Sequence, residues 1–266
     1  MTETAPLRSA DHNRAMHDAT ATITGIHHPT PHLLRFTAEL PAPVAADPTW
    51  GTPNVTLRLE LSADVSRVYT VRRFDPTAAT IEVDVVLHSG ESPMMQWAAG
   101  LRLGLEVAFR GPRQHFVIPD EPARPVALFL DATAIPALYA ILAHWPERVG
   151  GVGWVRTEDA AAFAELPSVP GLELHRIETG LLERAHVLPN PEQYVVWGAG
   201  EREDMRALRS HFRSTVGLAK EHVALYGYWK RGLSNTEIDQ YRLANYQRIL
   251  ADGGNLDDID DLAITI

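Results

Sequence analysis

Six consecutive residues, Arg67-Val68-Tyr69-Thr70-Val71-Arg72, combine side-chain types that could do chemistry together. They lie inside Ser66 to Phe74, a run of strand formers. Side chains alternate across a strand, so Arg67 and Tyr69 share one face and Thr70 and Arg72 the other. The segment therefore offers a fixed cation, a flat aromatic ring, and a hydroxyl beside a backbone amide. These would serve a pyrophosphate, a broad ring system and that ring's polar edge, which are the parts of a flavin dinucleotide. Taken alone, the hexapeptide reads better as an ordinary sheet strand with exposed arginines and a half-buried tyrosine. What lies downstream decides between the two.

The chain's 266 residues suffice for one large or two ordinary domains, and its 45% hydrophobic content supplies a real core. A net charge of −10 argues against nucleic-acid or membrane-surface binding and means that an anionic ligand needs a local basic pocket. With no cysteine, disulfides, thiolate metal sites, cysteine-ligated iron–sulfur clusters and thiol catalysis are excluded. Redox chemistry would have to be carried by an organic cofactor. No apolar run is long enough to span a bilayer, and the polar N-terminus lacks a secretory signal. The expected location is cytoplasmic, without membrane insertion.

Residues 1–18 suggest no regular element. Strands are expected over Ala19 to Ile26, His32 to Leu40, Asn54 to Leu61, the Arg67 strand, Thr80 to His88, and Leu105 to Arg110. Gly111-Pro112 is expected to stop the last of these, and Met94 to Ala99 reads as a short helix. In Thr80 to His88, Ile81, Val83, Val85 and Leu87 fall on one face, and Glu82, Asp84 and His88 on the other. Six strands with short turns imply a small closed or split barrel.

The pattern changes between Pro122 and Pro125. Val126 to Leu130 is a short apolar run suited to a buried parallel strand. Ile135, Leu138, Ile141, Leu142 and Trp145 recur at helical spacing. Strands over Gly151 to Val155, Leu172 to Ile177, Tyr194 to Trp197 and His222 to Tyr226 alternate with helices over Thr157 to Leu166 and Glu201 to Thr215. The latter helix has acidic residues in its first turn and Gly217 just past its end. This alternation predicts a doubly wound parallel sheet. Ser234 to Glu237 is a capping-box pattern that opens a tail helix to about Ala251. The expected division is 1–122 and 123–266.

In the second part, Leu130-Asp131-Ala132-Thr133 joins a strand to a helix where parallel sheets bind ligands. Trp197-Gly198-Ala199-Gly200-Glu201 repeats that geometry, and its glycines would let a nucleotide approach the backbone. For Asp131 a helix cap is an equally good reading. His27, His28 and His32 flank a proline-broken junction with no carboxylate spaced to complete a metal site. No Gly-x-Ser-x-Gly elbow supports nucleophilic hydrolysis.

The order of these segments resembles the ferredoxin-reductase superfamily, and within it the siderophore-interacting proteins. The resemblance rests on Thr30 to Arg35, the Arg67 strand, Asp84 to His88, Ser92-Pro93 with Trp97-Ala98, and Gly111-Pro112-Arg113. It continues through Asp131 to Ala137, Trp197 to Glu201, and Gly227 to Gly232. It implies a six-stranded antiparallel Greek-key split barrel that binds FAD, then a Rossmann-like domain that binds NADPH or NADH and ends in a C-terminal helix.

By the same resemblance, Tyr69 stacks on the flavin ring, Thr70 bonds its N5 edge and Arg67 pairs with the pyrophosphate. Val86, Leu87 and His88 line the ribityl chain, and amides of Ser92 to Met95 hold phosphate oxygens. Arg72, Asp84, Asp131, Thr133, Ala199, Gly200, Glu201 and Trp229 complete the expected cofactor set. Lys230, Arg231 and Arg73 are expected to attract an anionic ferric siderophore. Met94 and Met95 stand where the family has a small and then a hydroxyl residue, and Ala132 where it has an acid. The implied activity is FAD-dependent ferric-siderophore reduction, with NAD(P)H or ferredoxin as donor. Two alternatives keep the fold: a non-catalytic relative that binds a ferric siderophore or flavin, and a flavin reductase with another acceptor.

Overall fold

The computed structural model describes residues 16–62, 65–88, 92–121, 123–233, 235–253 and 262. The acidic end of the sequence, 252–266, reads as loose, and all of it but 252, 253 and 262 lies outside the described residues.

The first part is a closed antiparallel barrel in the order β1-β2-β5-β4-β3-β6. Its strands are β1 (His17–Thr30), β2 (Leu33–Glu39), β3 (Val55–Ser62), β4 (Val65–Asp75), β5 (Thr80–Val86) and β6 (Glu106–Gln114). Pairing of β1 with β6 closes the barrel, the closed form of the two expected. Between β2 and β3 sits α1 (Ala42–Ala45), and between β5 and β6 lies α2 (Pro93–Ala99). Alternation fills the interior with Phe36, Leu57, Leu59, Val71, Val83, Val85 and Phe109, all nearly inaccessible.

Two details depart from the sequence pattern. First, β6 runs through Gly111-Pro112 to Gln114 instead of stopping at Arg110, because β3 pairs with its far end. Second, the β4–β5 register slips by one residue: Val71 faces Val83, and Arg73 faces Glu82. Arg72 is the extra residue, and such a bulge re-aims a side chain that strict alternation would place elsewhere.

The second part is a five-stranded parallel sheet in the order β11-β10-β7-β8-β9. It comprises β7 (Val126–Asp131), β8 (Gly151–Arg156), β9 (Leu172–Ile177), β10 (Val195–Glu201) and β11 (Val223–Trp229). Every residue of β7 and β10 is buried, as expected for central strands covered on both faces. One face packs under α3 (Ile135–Leu142) around Leu128, Leu130 and Leu138. The other packs under α5 (Leu181–His186) and α6 (Arg202–Ser210) around Phe129, Val196 and Met205. The helix expected over Thr157 to Leu166 shortens to α4 (Ala160–Ala164), capped by Asp159 and Glu165. The helix expected to reach Thr215 stays α-helical to Ser210 and ends in a π-helical turn over His211–Thr215. The tail helix, α7, spans Asn235–Ala251.

Strand order reverses between β7 and β10, so the ligand-binding crevice of such a sheet opens at their C-terminal ends. The residues there are Asp131 and Gly200-Glu201.

Candidate functional site at the seam and sheet end

β4 carries the chemistry-bearing hexapeptide. Across the β3–β4 pair, Tyr69 faces Leu57 and Arg67 faces Leu59, and both leucines belong to the barrel core. Tyr69 is half-buried and packs on that core; burial raises its phenol above the ordinary value, only partly offset by Arg67. The ring is therefore neutral at working pH and offers a face, not a charge. Arg67 is 8% exposed and donates to the Ser66 carbonyl at 2.7 Å. Thr70, on the opposite face, is also buried.

Arg72 and Asp84 stand apart from this strip. Asp84 is fully buried between two guanidinium groups. Arg35 on β2 reaches its two oxygens through Nε at 2.5 Å and Nη2 at 2.9 Å. Arg72 donates to Oδ2 at 2.9 Å. The second domain completes the cluster: Glu165 Oε2 accepts from Arg35 at 2.7 Å and from Arg72 at 3.2 Å. The Arg72 guanidinium also lies 3.4 Å from the Tyr139 ring centroid on α3. Burial works against the Arg35 cation, but its bonds to Asp84 and Glu165 raise its pKa above the usual guanidinium value. Both residues expected to touch a cofactor thus hold the seam between the domains. Arg35, Tyr139 and Glu165 were not singled out from the sequence; a charge inside the apolar run Leu33 to Phe36 was the available signal for Arg35.

Beside the barrel, Val86 and Leu87 are half-buried and His88 is exposed. The His88 amide points at Met95 Sδ, 3.5 Å away. Ser92 caps α2, its Oγ accepting from the Met95 amide at 3.2 Å. Pro93 has no amide hydrogen and the Met95 amide is already bonded, which narrows the expected phosphate cradle. Met94 is buried in the barrel core, so its side chain serves packing.

At the sheet end, Asp131 is the hub. Its Oδ1 accepts from the Thr133 amide at 2.9 Å and hydroxyl at 2.5 Å. Its Oδ2 accepts from the Glu201 amide and the Trp229 indole, both at 2.8 Å. A carboxylate offers about four acceptor positions, and here each has a donor. Asp131 is therefore a cap that also ties together the ends of β7, β10 and β11. A ribose hydroxyl would have to displace one of these donors.

The glycines answer to the same packing. A Cβ on Gly200 would lie 2.6 Å from the Asp131 carboxylate, and one on Gly198 would lie 2.3 Å from the Phe129 carbonyl oxygen. Both are demanded by the sheet before any nucleotide arrives. Ala199, between them, is fully buried.

Glu201 caps α6 through the amides of Glu203 and Asp204, at 2.7 and 3.1 Å. Its other oxygen accepts from the Arg231 amide at 3.1 Å, fixing the loop after β11. Lys230 Nζ lies 2.9 Å from Glu203, and this bond, with the charge behind it, lowers the Glu203 carboxyl below its ordinary value. Arg73 is largely exposed and meets Glu82 at 3.3 Å. Lys230 and Arg231 follow β11, whereas Arg73 lies on β4 of the barrel.

Aromatic groups missed by sequence reasoning join the two parts. His115 lies 4.5 Å from the Tyr226 ring, and Phe116 stacks on Trp197 at 6.0 Å. Burial raises the phenols of Tyr226 and Tyr228 above the ordinary value, with Arg113 opposing the shift at Tyr226. The exposed His27 and His28 lie near the end of β1, and the exposed His32 in the turn before β2. Among the described residues, no helix is long and apolar enough to cross a membrane.

An antiparallel barrel docked on a doubly wound parallel sheet is the fold of ferredoxin-reductase-like proteins. A solved ferredoxin reductase from a carbazole 1,9a-dioxygenase, in its FAD apo form, shares this fold at TM-score 0.60 and 16% identity. It covers 80% of this chain and 68% of that one.

The chain itself belongs to the siderophore-interacting protein family. The siderophore-interacting FAD-binding domain matches residues 43–116 and the siderophore-interacting protein domain matches 123–232. A ferric acinetobactin reductase from Acinetobacter baumannii is 33% identical over 96% of this chain and 93% of its own length. The solved siderophore-interacting protein of the same organism superposes at TM-score 0.84 with 32% identity, covering 90% of this chain and all of that one. FAD is accordingly the cofactor of the barrel.

Proposed function

We propose that this protein is a cytoplasmic FAD-dependent ferric-siderophore reductase supplied by NAD(P)H. The observation that carries this reading is the chain-long likeness to a ferric acinetobactin reductase, which runs through both domains. When bound, FAD supplies the conversion of a two-electron donation into single electrons.

The chain's own residues supply position. Tyr69 offers a neutral ring face, Thr70 polar contacts beside it, and Arg67 a cation held in place by its own strand. Val86, Leu87 and His88 form the adjoining wall. Thr133, Ala199, Gly200 and Trp229 place the second domain's sheet end where a nicotinamide donor would enter, with Asp131 and Glu201 holding that surface in shape. Lys230, Arg231 and Arg73 offer positive charge to the ferric chelate. Reduction of iron(III) to iron(II) weakens its hold on hard oxygen ligands, so one electron releases the metal. No acid or base from the protein is required.

The test is the visible spectrum of the purified protein under nitrogen. Flavin bands that bleach with NADPH or NADH and return on adding a ferric siderophore support the reading. Bands that bleach only with reduced ferredoxin replace the donor. A protein that takes up no FAD would leave the binding-protein alternative.

A further inference from the structure

The barrel side of the seam carries a charge imbalance that a residue of the second domain resolves. On the barrel side, neighbouring strands β2, β5 and β4 contribute Arg35, Asp84 and Arg72. These leave one positive charge in excess, with all three side chains under 10% exposed. Unbalanced charge is costly in such surroundings. Glu165 of the second domain supplies the balancing negative charge, and one of its oxygens is shared by both guanidinium groups.

Glu165 is the C-cap of α4, and Asp159 is the N-cap of the same five-residue helix. Asp159 accepts from the Thr30 hydroxyl of β1 at 2.5 Å. Both ends of one short helix therefore grip the barrel, at β1 and across β2–β4. Alongside, α3 lays Tyr139 over Arg72. Because α3 follows directly on the Asp131–Thr133 turn, its seat on β4 fixes where that turn stands relative to the barrel.

We propose that Glu165 is a positioning residue: it completes the charge of the seam and thereby sets the angle between the FAD barrel and the second domain. The part of this that concerns transfer from a nicotinamide rests on the proposed function; the part that concerns domain geometry does not. Glu165 suits the role because its side chain is 33% exposed, unlike the sealed Asp84. Water can reach its place when the carboxylate is removed, so the barrel survives while the clasp opens.

The chain's lack of cysteine makes a direct test available. Leu103 in the barrel and Val187 in the second domain are 66% and 72% exposed, so L103C and V187C give two labelling sites. Pulsed electron paramagnetic resonance on the full chain should give a narrow distance distribution in the labelled parent. It should broaden in both Glu165→Gln and Glu165→Ala, and acetate should narrow it again in Glu165→Ala, where the carboxylate-sized gap is open. Glu165→Gln keeps the side chain's size and decides the matter if the alanine variant does not fold. With FAD bound and NADPH saturating, flavin bleaching should slow about tenfold or more in Glu165→Gln, since small misplacements of reacting groups cost that much. Distributions in both variants that superimpose on the parent's would overturn the proposal. A parent whose flavin no nicotinamide bleaches would overturn the donor assignment alone, and the distances would still judge the clasp.

Discussion

Two buried aspartates hold this molecule together by opposite means. Asp84 is surrounded by cations, drawn from strands of its own barrel and balanced by a carboxylate from the other domain. Asp131 accepts its hydrogen bonds from neutral donors, two amides, a hydroxyl and an indole, with the Arg156 guanidinium farther off at 3.8 Å, all from its own domain. The first arrangement is strong only while every charge is present; the second spreads one charge over many dipoles within a rigid sheet. The contrast separates a joint from a keystone. The joint sits where two bodies meet and has a member that water can reach. The keystone sits where three strand ends converge and has no spare acceptor for a ligand.

The sharpest break in this contrast is Asp84→Ala, which leaves two buried guanidinium groups sharing only Glu165. Loss of one partner from such a cluster costs about 3–5 kcal/mol, and denaturant unfolding should show it as a collapse of barrel stability. Asp131→Asn should cost less, about 1–3 kcal/mol, because its new amide group, at either oxygen's place, meets an N–H donor that cannot accept from it. An Asp131→Asn loss equal to that of Asp84→Ala would erase the distinction between them.

With both aspartates occupied, ring contact falls to Tyr69. Tyr69→Ala should weaken FAD about three- to tenfold, the scale of one aromatic stack, with a shift in the bound flavin's spectrum. An unchanged spectrum removes Tyr69 from the site. Replacing Lys230 and Arg231 together by Ala should raise the Michaelis constant for an anionic ferric chelate only a few-fold, because Lys230 already shares its charge with Glu203. Flavin reduction should be unaffected; a change in flavin content alone would move the chelate site elsewhere.

The smallest effect is in acid. Burial raises the Asp159 carboxyl, but the Thr30 hydroxyl and the α4 amides outweigh it and bring it below the ordinary 3.8. A carboxyl lowered by folding stabilises above its unfolded value and loses that contribution as pH falls through its folded value. The second grip of the clasp should therefore hold from neutrality to about pH 4 and weaken only below. Thr30→Val should shrink that acid-sensitive part, as measured by unfolding across the same range.

Much of this was legible beforehand, for reasons that can be named. Val126 to Leu130 announced a central parallel strand because both its faces are covered, and Asn54 to Leu61 announced a barrel strand because only one is. The order of the segments carried the family. What stayed hidden was long-range. Arg35 and Glu165 are 130 residues apart, and nothing local in either marks them as partners. Alternation sets Asp84 on the face opposite Ile81, Val83 and Val85, and nothing local shows that two arginines and a glutamate of the other domain bury it there. The one-residue slip at Arg72 cannot be seen in a strand read alone, since a bulge belongs to a pair of strands. Leu181–His186 was missed because six residues show less than two turns of helical period.

The tail helix has a consequence for how this protein behaves among copies of itself. β11 is an outer strand of the sheet, and such strands invite pairing with a neighbouring chain. Here the Gly227 carbonyl accepts from Arg242 of α7, and Leu262 packs against the same glycine. A tail held there would hinder pairing of β11 with a further strand. A chain shortened before Asn235 should keep its fold and its flavin domain but clump as its concentration rises, a fault of solubility and not of catalysis.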